Sequence, residues 1–318
     1  MKRARNAHNL YLGVDGGGTK TQVVLLDDEA QIVGEGFSGA SNPLSVGVET
    51  AVSNIVKAIE AACDSANRSR GDIVAATLGL AGVRRTDLRQ RLRESFIKRL
   101  PVKQIEITTD AEIALYGVTL GKAGVVVISG TGSICYGKDG NGKTAMAGGW
   151  GPIAGDEGGG ASIARRALQA IAKASDGRGE PTKLSDAGVN YFRTSTPENL
   201  LVAIYSPQID NAKIAGFARF VVETAQTGDK IAAGILEEAG LELGLAVNAV
   251  IAKLNLKNRK IPIGFVGSIF RAGGLITDSL LKIVRRFAPK AHLTEPLLQP
   301  PCAAAQMAFE MFSKAEKR

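Results

Sequence analysis

The chain has 318 residues, 45% of them hydrophobic and 22% charged, which is typical of a soluble globular protein large enough for two domains. The net charge of +8 is not accompanied by aromatic side chains, which make up only 5% of the chain, so we expect no nucleic-acid-binding surface. No apolar segment is long enough to cross a bilayer and no signal-peptide core follows the basic N-terminus, so we expect a cytoplasmic protein without membrane attachment.

The first part of the chain reads as a β-hairpin unit followed by alternating strands and helices. Short apolar runs mark the strands, and amphipathic spacing marks the helices. This order predicts an α/β fold with a mixed sheet flanked by helices. The predicted elements are strands at about 10–14, 21–27 and 30–37, a helix at 47–67, a strand at 73–80, a basic helix at 86–99, a strand at 104–109 and a helix from 111.

The second part begins with the same pattern of strand, Gly/Thr turn, strand, polar turn and strand. The recurrence predicts a structural duplication. Because no low-complexity linker separates the two halves, we expect two lobes packed around a cleft. The predicted elements are strands at 123–129 and 133–137, a third strand after the turn at 139–142, a mostly helical region at 156–255, a strand at 261–267, a helix near 273–287, a strand at 290–294 and a helix from 301.

A glycine-rich turn follows the first predicted strand. Its backbone N–H groups are suited to surround phosphate oxygens, and a hydroxyl and an amine lie beside them. Asp15, at the end of the strand, is a hard oxygen ligand suited to Mg²⁺, directly or through water. A simple hairpin needs only one or two glycines, so we favour a phosphate-binding loop. Its residues are Gly16, Gly17, Gly18, Thr19 and Lys20.

The second Gly/Thr turn stands at the same point of the second half and predicts a second phosphate contact. Two such loops facing each other would hold the phosphates of one nucleotide. The residues of this turn are Gly130, Thr131, Gly132 and Ser133.

The segment Gly137–Thr144 matches the letters of a P-loop, G-x-x-x-x-G-K-[ST]. A working P-loop opens a helix, whose N-terminus contributes to phosphate binding. The residues that follow, AMAGGWGP, are too rich in glycine for a helix. We therefore predict a hairpin turn here. No dinucleotide-binding glycine pattern stands at a strand-to-helix junction either.

Three polar side chains stand at predicted loop positions with two interpretations each. Asp110 follows an apolar strand, where it could accept a proton from a substrate hydroxyl or cap the next helix. Asp156, followed by Glu157, could bind hydroxyl groups or cap a helix. Asn42 could bind a hydroxyl-rich ligand or form an Asn-Pro turn. The segment 148–151 (GGWG) has the flexible backbone and the flat aromatic side chain of a binding loop.

Taken together, these motifs resemble the N-acetylglucosamine kinase branch of the actin-like and hexokinase-like ATPase superfamily, in the group also called BadF/BadG/BcrA/BcrD ATPases. The motifs occur in the family's order. They are DGGGTKT at 15–21, ASNP at 40–43, TTDA at 108–111, ISGTGS at 128–133, GGWG at 148–151, GDEG at 155–158, AGFA at 215–218 and VGSI at 266–269.

The resemblance implies a role for each matching residue. Asp110 matches the catalytic base and also contacts the sugar. Thr19 and Thr131 match residues that touch ATP in the two phosphate loops, Ala215 matches a residue near the adenosine, and Gly267 with Ser268 resembles an adenosine-side turn. The sugar contacts are matched by Asn42, Gly149, Trp150, Gly151 and Asp156.

The resemblance also implies two ribonuclease-H-like lobes with a cleft between them. The first lobe is expected at 1–115, joined by the C-terminal helix 301–318, and the second at 116–300 with a helical insertion. The implied reaction is transfer of the γ-phosphoryl group of ATP, with Mg²⁺, to a hydroxyl, expected to be O6, of N-acetylglucosamine or glucosamine. Homodimers occur in the family, although no residue here indicates one.

Two features keep alternatives open. Animal N-acetylglucosamine kinases place a Trp against the sugar where this chain has Leu44, so glucosamine, N-acetylglucosamine and muramic-type sugars all remain candidates. The alternative function is an ATPase activator of a 2-hydroxyacyl-CoA dehydratase system, which needs two suitably placed cysteines for a bridging iron–sulfur cluster. Cys135 follows the second turn, but no second cysteine lies near it in sequence. A regulatory relative would carry a DNA-binding extension; because the first predicted strand begins by about residue 10, we do not expect a regulator of that kind.

Overall fold

A computed structural model describes residues 9–100 and 102–316 of the chain. Within these residues the strands form two five-stranded sheets. The strands are β1 (Leu10–Gly16), β2 (Thr21–Leu26), β3 (Ile32–Ser38), β4 (Ile73–Leu80), β5 (Gln104–Thr109), β6 (Gly124–Ser129), β7 (Ser133–Lys138), β8 (Thr144–Gly148), β9 (Pro262–Val266) and β10 (His292–Thr294).

The helices surround these sheets, and most of them lie in the second half of the chain. Two short 3₁₀ helices, Arg70–Asp72 and Ser268–Ala272, complete the secondary structure of the described residues. The α-helices are α1 (Pro43–Val46), α2 (Val48–Ala66), α3 (Thr86–Arg99), α4 (Asp110–Thr119), α5 (Gly160–Ser175), α6 (Leu184–Phe192), α7 (Leu200–Ile204), α8 (Asn211–Gly216), α9 (Ala218–Gln226), α10 (Lys230–Lys253), α11 (Gly274–Phe287) and α12 (Pro300–Glu316).

The chain divides into two compact units. Unit 1 comprises the residues up to Gly121 together with those from Pro296 onward, and unit 2 comprises Lys122–Glu295. The observed division follows α4, whereas the expected one at 115/116 falls inside that helix. The C-terminal helix α12 belongs to unit 1.

The two sheets have the same topology. In unit 1 the strand order is β3-β2-β1-β4-β5, and in unit 2 it is β8-β7-β6-β9-β10. Each sheet begins with an antiparallel meander of three strands and adds two parallel strands beside the first of them. This identity of order confirms the predicted duplication and the two-lobed α/β fold.

Unit 1 buries its sheet on both faces. Every residue of β4 is buried, because helices cover both sides of this interior strand. On one face β1, β2 and β4 pack against α2 and α3. On the other face α12 lies directly on β1, at a point where a Cβ on Gly13 would overlap the backbone of α12. Gly13 thus permits the close approach that attaches the C-terminal helix to this unit.

The core of unit 2 lies between its sheet and the helical region. Val125 and Val127 of β6 and Cys135 of β7 pack with buried side chains of α5, α9, α10 and α11. The segment Gly137–Thr144 closes the β7–β8 hairpin, where the Asp139 carboxylate accepts hydrogen bonds from two backbone N–H groups. No helix begins directly after this segment, so the prediction of a hairpin turn instead of a P-loop is confirmed.

No helix in the part of the chain covered by the coordinates, 9–100 and 102–316, combines the length and the apolarity that crossing a membrane requires.

Candidate active site

The first Gly/Thr loop joins β1 and β2 in unit 1. The two strands pair as far as Gly16 and Thr21, and the Gly17 N–H donates to the Lys20 carbonyl at 2.9 Å. The Gly17 carbonyl in turn accepts hydrogen bonds from the backbone N–H groups of Ser41 and Asn42, at 3.0 and 3.1 Å. These bonds fix the base of the loop, while Thr19 and Lys20 stay exposed at its tip.

The glycines of this loop do not serve a left-handed backbone, since none of them has a positive φ. Gly16 is required by packing, because a Cβ there would overlap Ser41 and Leu80. Gly17 and Gly18 have no such constraint: a Cβ on Gly17 would be 3.6 Å from the nearest atom, and one on Gly18 would meet nothing within 4 Å. Bare backbone at these two positions suits close approach of a ligand.

Asp15 stands at the carboxyl end of β1 and is partly buried. Its register partner in β4 is Gly79, whose own partner in β5 is Thr108. Residues in register point to the same face of a sheet, and a Cβ on Gly79 would overlap Ile113 of α4. Asp15 therefore faces the side of the sheet on which α4 begins, next to the predicted catalytic residue.

The surroundings of Asp15 disfavour its charge. Burial, and next the negative charge of Asp110, raise the pKa of Asp15 to about 6, while Lys20 opposes the shift. A carboxylate pair whose charges are poorly compensated by protein groups is a site that attracts a cation.

Asp110 is the first residue of α4, not its cap. Thr109 is the N-cap, and its hydroxyl and the Glu112 carboxylate form a reciprocal capping box. This removes the alternative interpretation of Asp110 as the capping residue. Its Oδ1 accepts from the Ala111 N–H at 2.9 Å, and its Oδ2 has no hydrogen-bond partner among the described residues. Burial raises the pKa of Asp110, against the opposing effects of the Ala111 N–H and Arg84.

Asn42 acts locally as a helix cap. Its Oδ1 accepts from the Leu44 N–H at 3.0 Å at the start of α1. Gly82, with φ of 80°, lies so close that a Cβ on it would overlap this oxygen. The Leu44 side chain is 70% exposed. Asn42 therefore forms the predicted local turn, and its binding to a sugar stays a prediction.

The second Gly/Thr loop joins β6 and β7 in unit 2. The Gly130 N–H donates to the Gly132 carbonyl at 2.9 Å. The first N–H groups of α5, from Gly160 and Ala161, donate to the carbonyls of Gly130 and Thr131 at 2.8 and 2.9 Å. The helix start therefore holds the loop in place, and the Thr131 side chain stays exposed.

The glycines of the second loop also divide into packed and open positions. A Cβ on Gly132 would overlap the Asp156 carboxylate, whereas one on Gly130 would meet nothing within 4 Å. Neither residue has a positive φ. Gly130 is thus the counterpart of Gly18: neither packing nor backbone conformation requires a glycine there.

The predicted adenosine residues gather around this loop. Gly267, with φ of 119°, lies against the carbonyl of Ser129, so that a Cβ on it would overlap that oxygen. A Cβ on Gly160 would lie 3.2 Å from the carbonyl of Ala215. Ser268 follows Gly267 and is exposed. Unit 2 therefore brings the second loop, Ala215 and the 266–269 motif together.

The predicted sugar loop of unit 2 depends on glycine for its conformation. Gly148, Gly149 and Gly151 all have positive φ, at 76°, 68° and 85°. They carry Trp150, whose side chain is 76% exposed. The ring is therefore accessible to a ligand, and its contact with a sugar stays a prediction.

Asp156 links the predicted sugar loop to the second Gly/Thr loop. It is buried, has φ of 60°, and its Oδ1 accepts from the Gly151 N–H at 3.1 Å. Its other oxygen faces Gly132. Helix α5 begins after Gly159 without a side-chain cap, so Asp156 does not cap it. A non-glycine residue held at positive φ is a candidate for function.

Sequence reasoning missed the polar groups behind Asp110. The Glu112 carboxylate accepts hydrogen bonds from Thr108 and Thr109, and Arg89 pairs with it. Arg84 lies near enough to oppose the rise in the Asp110 pKa. The T-x-x-E spacing of residues 109–112 is a readable capping signal. The contact of Arg89, on α3, with Glu112 is long-range, and no local sequence pattern indicates it.

The cysteines and the metal-ligating residue types form no further site. Cys63 and Cys135 are buried, and Cys302 is partly exposed. Burial raises the pKa of the Cys135 thiol far above its usual range. Residues 9–100 and 102–316 contain no group of three or more His, Cys, Asp or Glu side chains that could hold a metal ion.

The duplicated sheet, with a Gly/Thr loop at the same hairpin of each copy, defines the two-lobed actin-like class of ATPases. Within this class, the model of the BadF/BadG/BcrA/BcrD ATPase family matches residues 12–294, and the chain belongs to this family. Its predicted family resemblance is confirmed, and use of ATP follows from it.

Several proteins similar to this chain are amino-sugar kinases. The N-acetylmuramic acid/N-acetylglucosamine kinase of Clostridium acetobutylicum is 33% identical, over 89% of this chain and 92% of its own length. The N-acetyl-D-glucosamine kinase of Dictyostelium discoideum is 32% identical, over 94% and 98%. A crystal structure from Chromobacterium violaceum, assigned as an N-acetylglucosamine kinase, superposes with a TM-score of 0.77 at 26% identity, over 95% of this chain and 99% of that one.

Proposed function

We propose that this protein is an ATP-dependent kinase that transfers the γ-phosphoryl group to a hydroxyl, O6, of an amino sugar. The observation that carries the proposal is the state of Asp110. It stands at the end of a parallel strand, its pKa is raised by burial, and Oδ2 has no partner among the described residues. A carboxylate whose pKa is raised is suited to accept a proton from a substrate hydroxyl. The amino-sugar kinase relatives support the same reaction.

In the proposed mechanism, Asp110 orients the sugar hydroxyl and accepts its proton as the oxygen attacks the γ-phosphorus. The bond from that phosphorus to the bridging oxygen breaks, and ADP leaves. Phosphoryl transfer depends mainly on positioning and on neutralising charge. Thr19 and Thr131, with the open backbone at Gly18 and Gly130, are proposed to donate hydrogen bonds to the phosphates.

The residues present fit a magnesium ion. Mg²⁺ is usually held by one or two carboxylates together with waters and substrate phosphates, not by a cage of protein ligands. Asp15 supplies such a carboxylate, and burial together with the nearby charge of Asp110 raises its pKa to about 6. When bound, the ion would neutralise phosphate charge. Asp15 is the residue proposed to hold it, directly or through water.

The residues proposed to contact the sugar are Asn42, Gly149, Trp150, Gly151 and Asp156. The exposed ring of Trp150 offers a flat apolar surface to a sugar face. Leu44 stands exposed beside the Asn42 turn, in place of an aromatic residue. N-Acetylglucosamine, glucosamine and muramic-type sugars therefore all belong in the substrate screen.

A coupled assay of ADP release tests this function. We expect sugar-dependent ADP formation with at least one of N-acetylglucosamine, glucosamine and N-acetylmuramic acid, and lower rates with glucose and mannosamine. NMR of the product should place the phosphate on O6. Absence of sugar-dependent ADP release with every amino sugar tested would overturn the proposal.

The activator function is less well supported by the structure of this chain. An intersubunit cluster needs two accessible cysteines, but Cys63 and Cys135 are buried and only Cys302 is partly exposed. We expect anaerobically purified protein to show no visible absorption of an iron–sulfur cluster.

A further inference from the structure

One oxygen of Glu112 is in contact with several polar groups around the start of α4. Its Oε2 accepts from the Thr109 N–H at 2.8 Å and from the Thr109 hydroxyl at 2.9 Å. It also accepts from the Thr108 hydroxyl, and the Arg89 Nη2 lies 3.7 Å away. Four groups from β5, α3 and the helix start thus converge on one atom.

A helix cap alone does not explain this arrangement. A capping box needs only the N-cap residue and the residue at N3, here Thr109 and Glu112. Arg89 adds a connection to another segment, because its Nε donates to the Val83 carbonyl at 2.7 Å. Arg89 therefore joins α3, the start of α4 and the loop that follows β4. The next residue in that loop, Arg84, acts electrostatically on Asp110.

Asp110 lies inside the segment that these contacts hold. Its neighbours Thr109 and Glu112 are both bonded into the network, while its own carboxylate accepts through Oδ1 from the Ala111 N–H. The direction of Oδ2 therefore depends on the backbone of residues 109–112.

We propose that the Arg89–Glu112 ion pair is a positioning device for Asp110, which holds the free carboxylate oxygen in line with the acceptor hydroxyl. This inference rests on the proposed function and adds two residues to it. Neither residue touches substrate in the proposal, since both act through the backbone of residues 109–112 and the loop after β4.

The charge of Glu112 is central to this role. Burial by itself would raise the pKa of Glu112, but the hydrogen bonds from Thr108 and Thr109, together with Arg89, outweigh it, and the pKa is lowered. Glu112 thus stays ionised and can pair with Arg89. Glutamine at N3 can still complete a capping box. Glu112→Gln therefore removes the ion pair and keeps the cap.

The test compares steady-state kinetics of the Glu112→Gln and Arg89→Met enzymes, with ATP and the best amino sugar from the screen. We expect kcat to fall about 10-fold in each, since small displacements of a catalytic group reduce rates strongly. KM for both substrates should stay within about twofold, and the melting temperatures should change little. Because the two residues act as one unit, the double variant should lose no more than either single variant.

Arg99→Met is the matched control. Arg99 also lies on α3 and pairs with a carboxylate, Glu49, at 2.8 Å. Its removal should leave kcat unchanged.

Wild-type kcat in Glu112→Gln, a loss in KM instead of kcat, or additive losses in the double variant would each overturn the positioning role. A wild-type enzyme that phosphorylates no amino sugar would overturn the proposed function itself, so the two failures are distinguishable.

Discussion

The two Gly/Thr loops occupy the same hairpin of two sheets with the same strand order, but they differ in charge. The first loop has four residues beyond its last strand pair, Gly16 and Thr21; Lys20 is one of them, and Asp15 precedes the loop. The second has three residues beyond the pair of Ser129 and Ser133, and every side chain in it is neutral. Asp15 is the penultimate residue of β1, whereas β6 ends in Ser129, whose hydroxyl donates to the Gly158 carbonyl.

This difference indicates that the two duplicated halves have different roles. Both loops keep one packed glycine and at least one open glycine, which suits a shared task of backbone contact with phosphate. The groups suited to move a proton or hold a cation, Asp15 and Asp110, both lie in unit 1. Changes at Asp15 and Asp110 should therefore affect chemistry, whereas changes in the neutral loop of unit 2 should affect binding.

The largest expected effect comes from Asp110→Asn. Asparagine keeps an oxygen that can accept from the Ala111 N–H, so the start of α4 is preserved. It cannot take a proton from the hydroxyl, and we expect kcat to fall by about 10²–10⁴. Sugar binding, followed by the fluorescence of Trp150, should be retained.

The matched variant in the neutral loop is Thr131→Val, which should raise KM for ATP and leave turnover measurable. Turnover near the wild-type level in Asp110→Asn would refute the assignment of Asp110 as the base.

The next largest effect tests whether the open glycines serve the same task in both loops. Gly18→Ala and Gly130→Ala add a methyl group that meets no atom of the protein within 4 Å. We expect stability to be unchanged but KM for ATP to rise about 10-fold or more, because the methyl group keeps phosphate oxygens away from the backbone N–H groups. The loss of one charge-assisted hydrogen bond accounts for this magnitude.

Gly16→Ala and Gly132→Ala are the contrasting pair. Their new methyl groups would overlap Ser41 and Leu80, or Asp156, so they should lower the melting temperature. An unchanged KM for ATP in either open-glycine variant would show that its loop does not contact the nucleotide.

Much of the fold could be predicted, because its signals are local. The mostly apolar run of β4, in which Thr77 is the one polar residue, corresponds to a strand buried on both faces, and the turn at 139–142 has ordinary hairpin chemistry. The recurrence of two Gly/Thr turns predicts the duplication that the strand orders confirm. The approach of α12 to β1 at Gly13 could not be predicted, because a glycine within a strand does not indicate which distant helix will cover it.

The candidate site was predictable as a set of positions but not as a set of contacts. Motif resemblance identified Asp110 and Asp156, and the sequence left a capping role open for both. The structure assigns the capping of α4 to Thr109 and shows Asp156 bonded to Gly151. The Arg89–Glu112 pair joins two helices, and such a pairing depends on the tertiary fold.

The variant Asp15→Asn measures how much the negative charge of Asp15, beside the first loop, lowers the free energy of unfolding. The folded state raises the pKa of Asp15 from 3.8 to about 6, so between these pH values the folded protein binds the proton more tightly than the unfolded chain. Wild-type stability should therefore fall as pH rises from about 4 to 7, by about 1–3 kcal/mol. The asparagine variant lacks this loss and should be the more stable protein at pH 8.

Chemical denaturation at several pH values, without nucleotide or metal, measures this difference. Identical pH dependence in the two proteins would mean that Asp15 ionises without penalty. The charge beside the first loop would then have no effect on stability that distinguishes this loop from the neutral one.

The smallest effect is expected at the exposed ring of unit 2. Trp150 is the only tryptophan of the chain and is 76% exposed, so Trp150→Ala should leave the melting temperature unchanged. If the ring packs on the sugar, KM for the sugar should rise about 5- to 10-fold with kcat nearly constant, and Trp150→Phe should recover part of the loss. The emission of wild-type Trp150 should shift to shorter wavelength when sugar is added. An unchanged KM together with an unchanged spectrum would place the sugar away from residues 148–151, and unit 2 would then contribute to nucleotide binding alone.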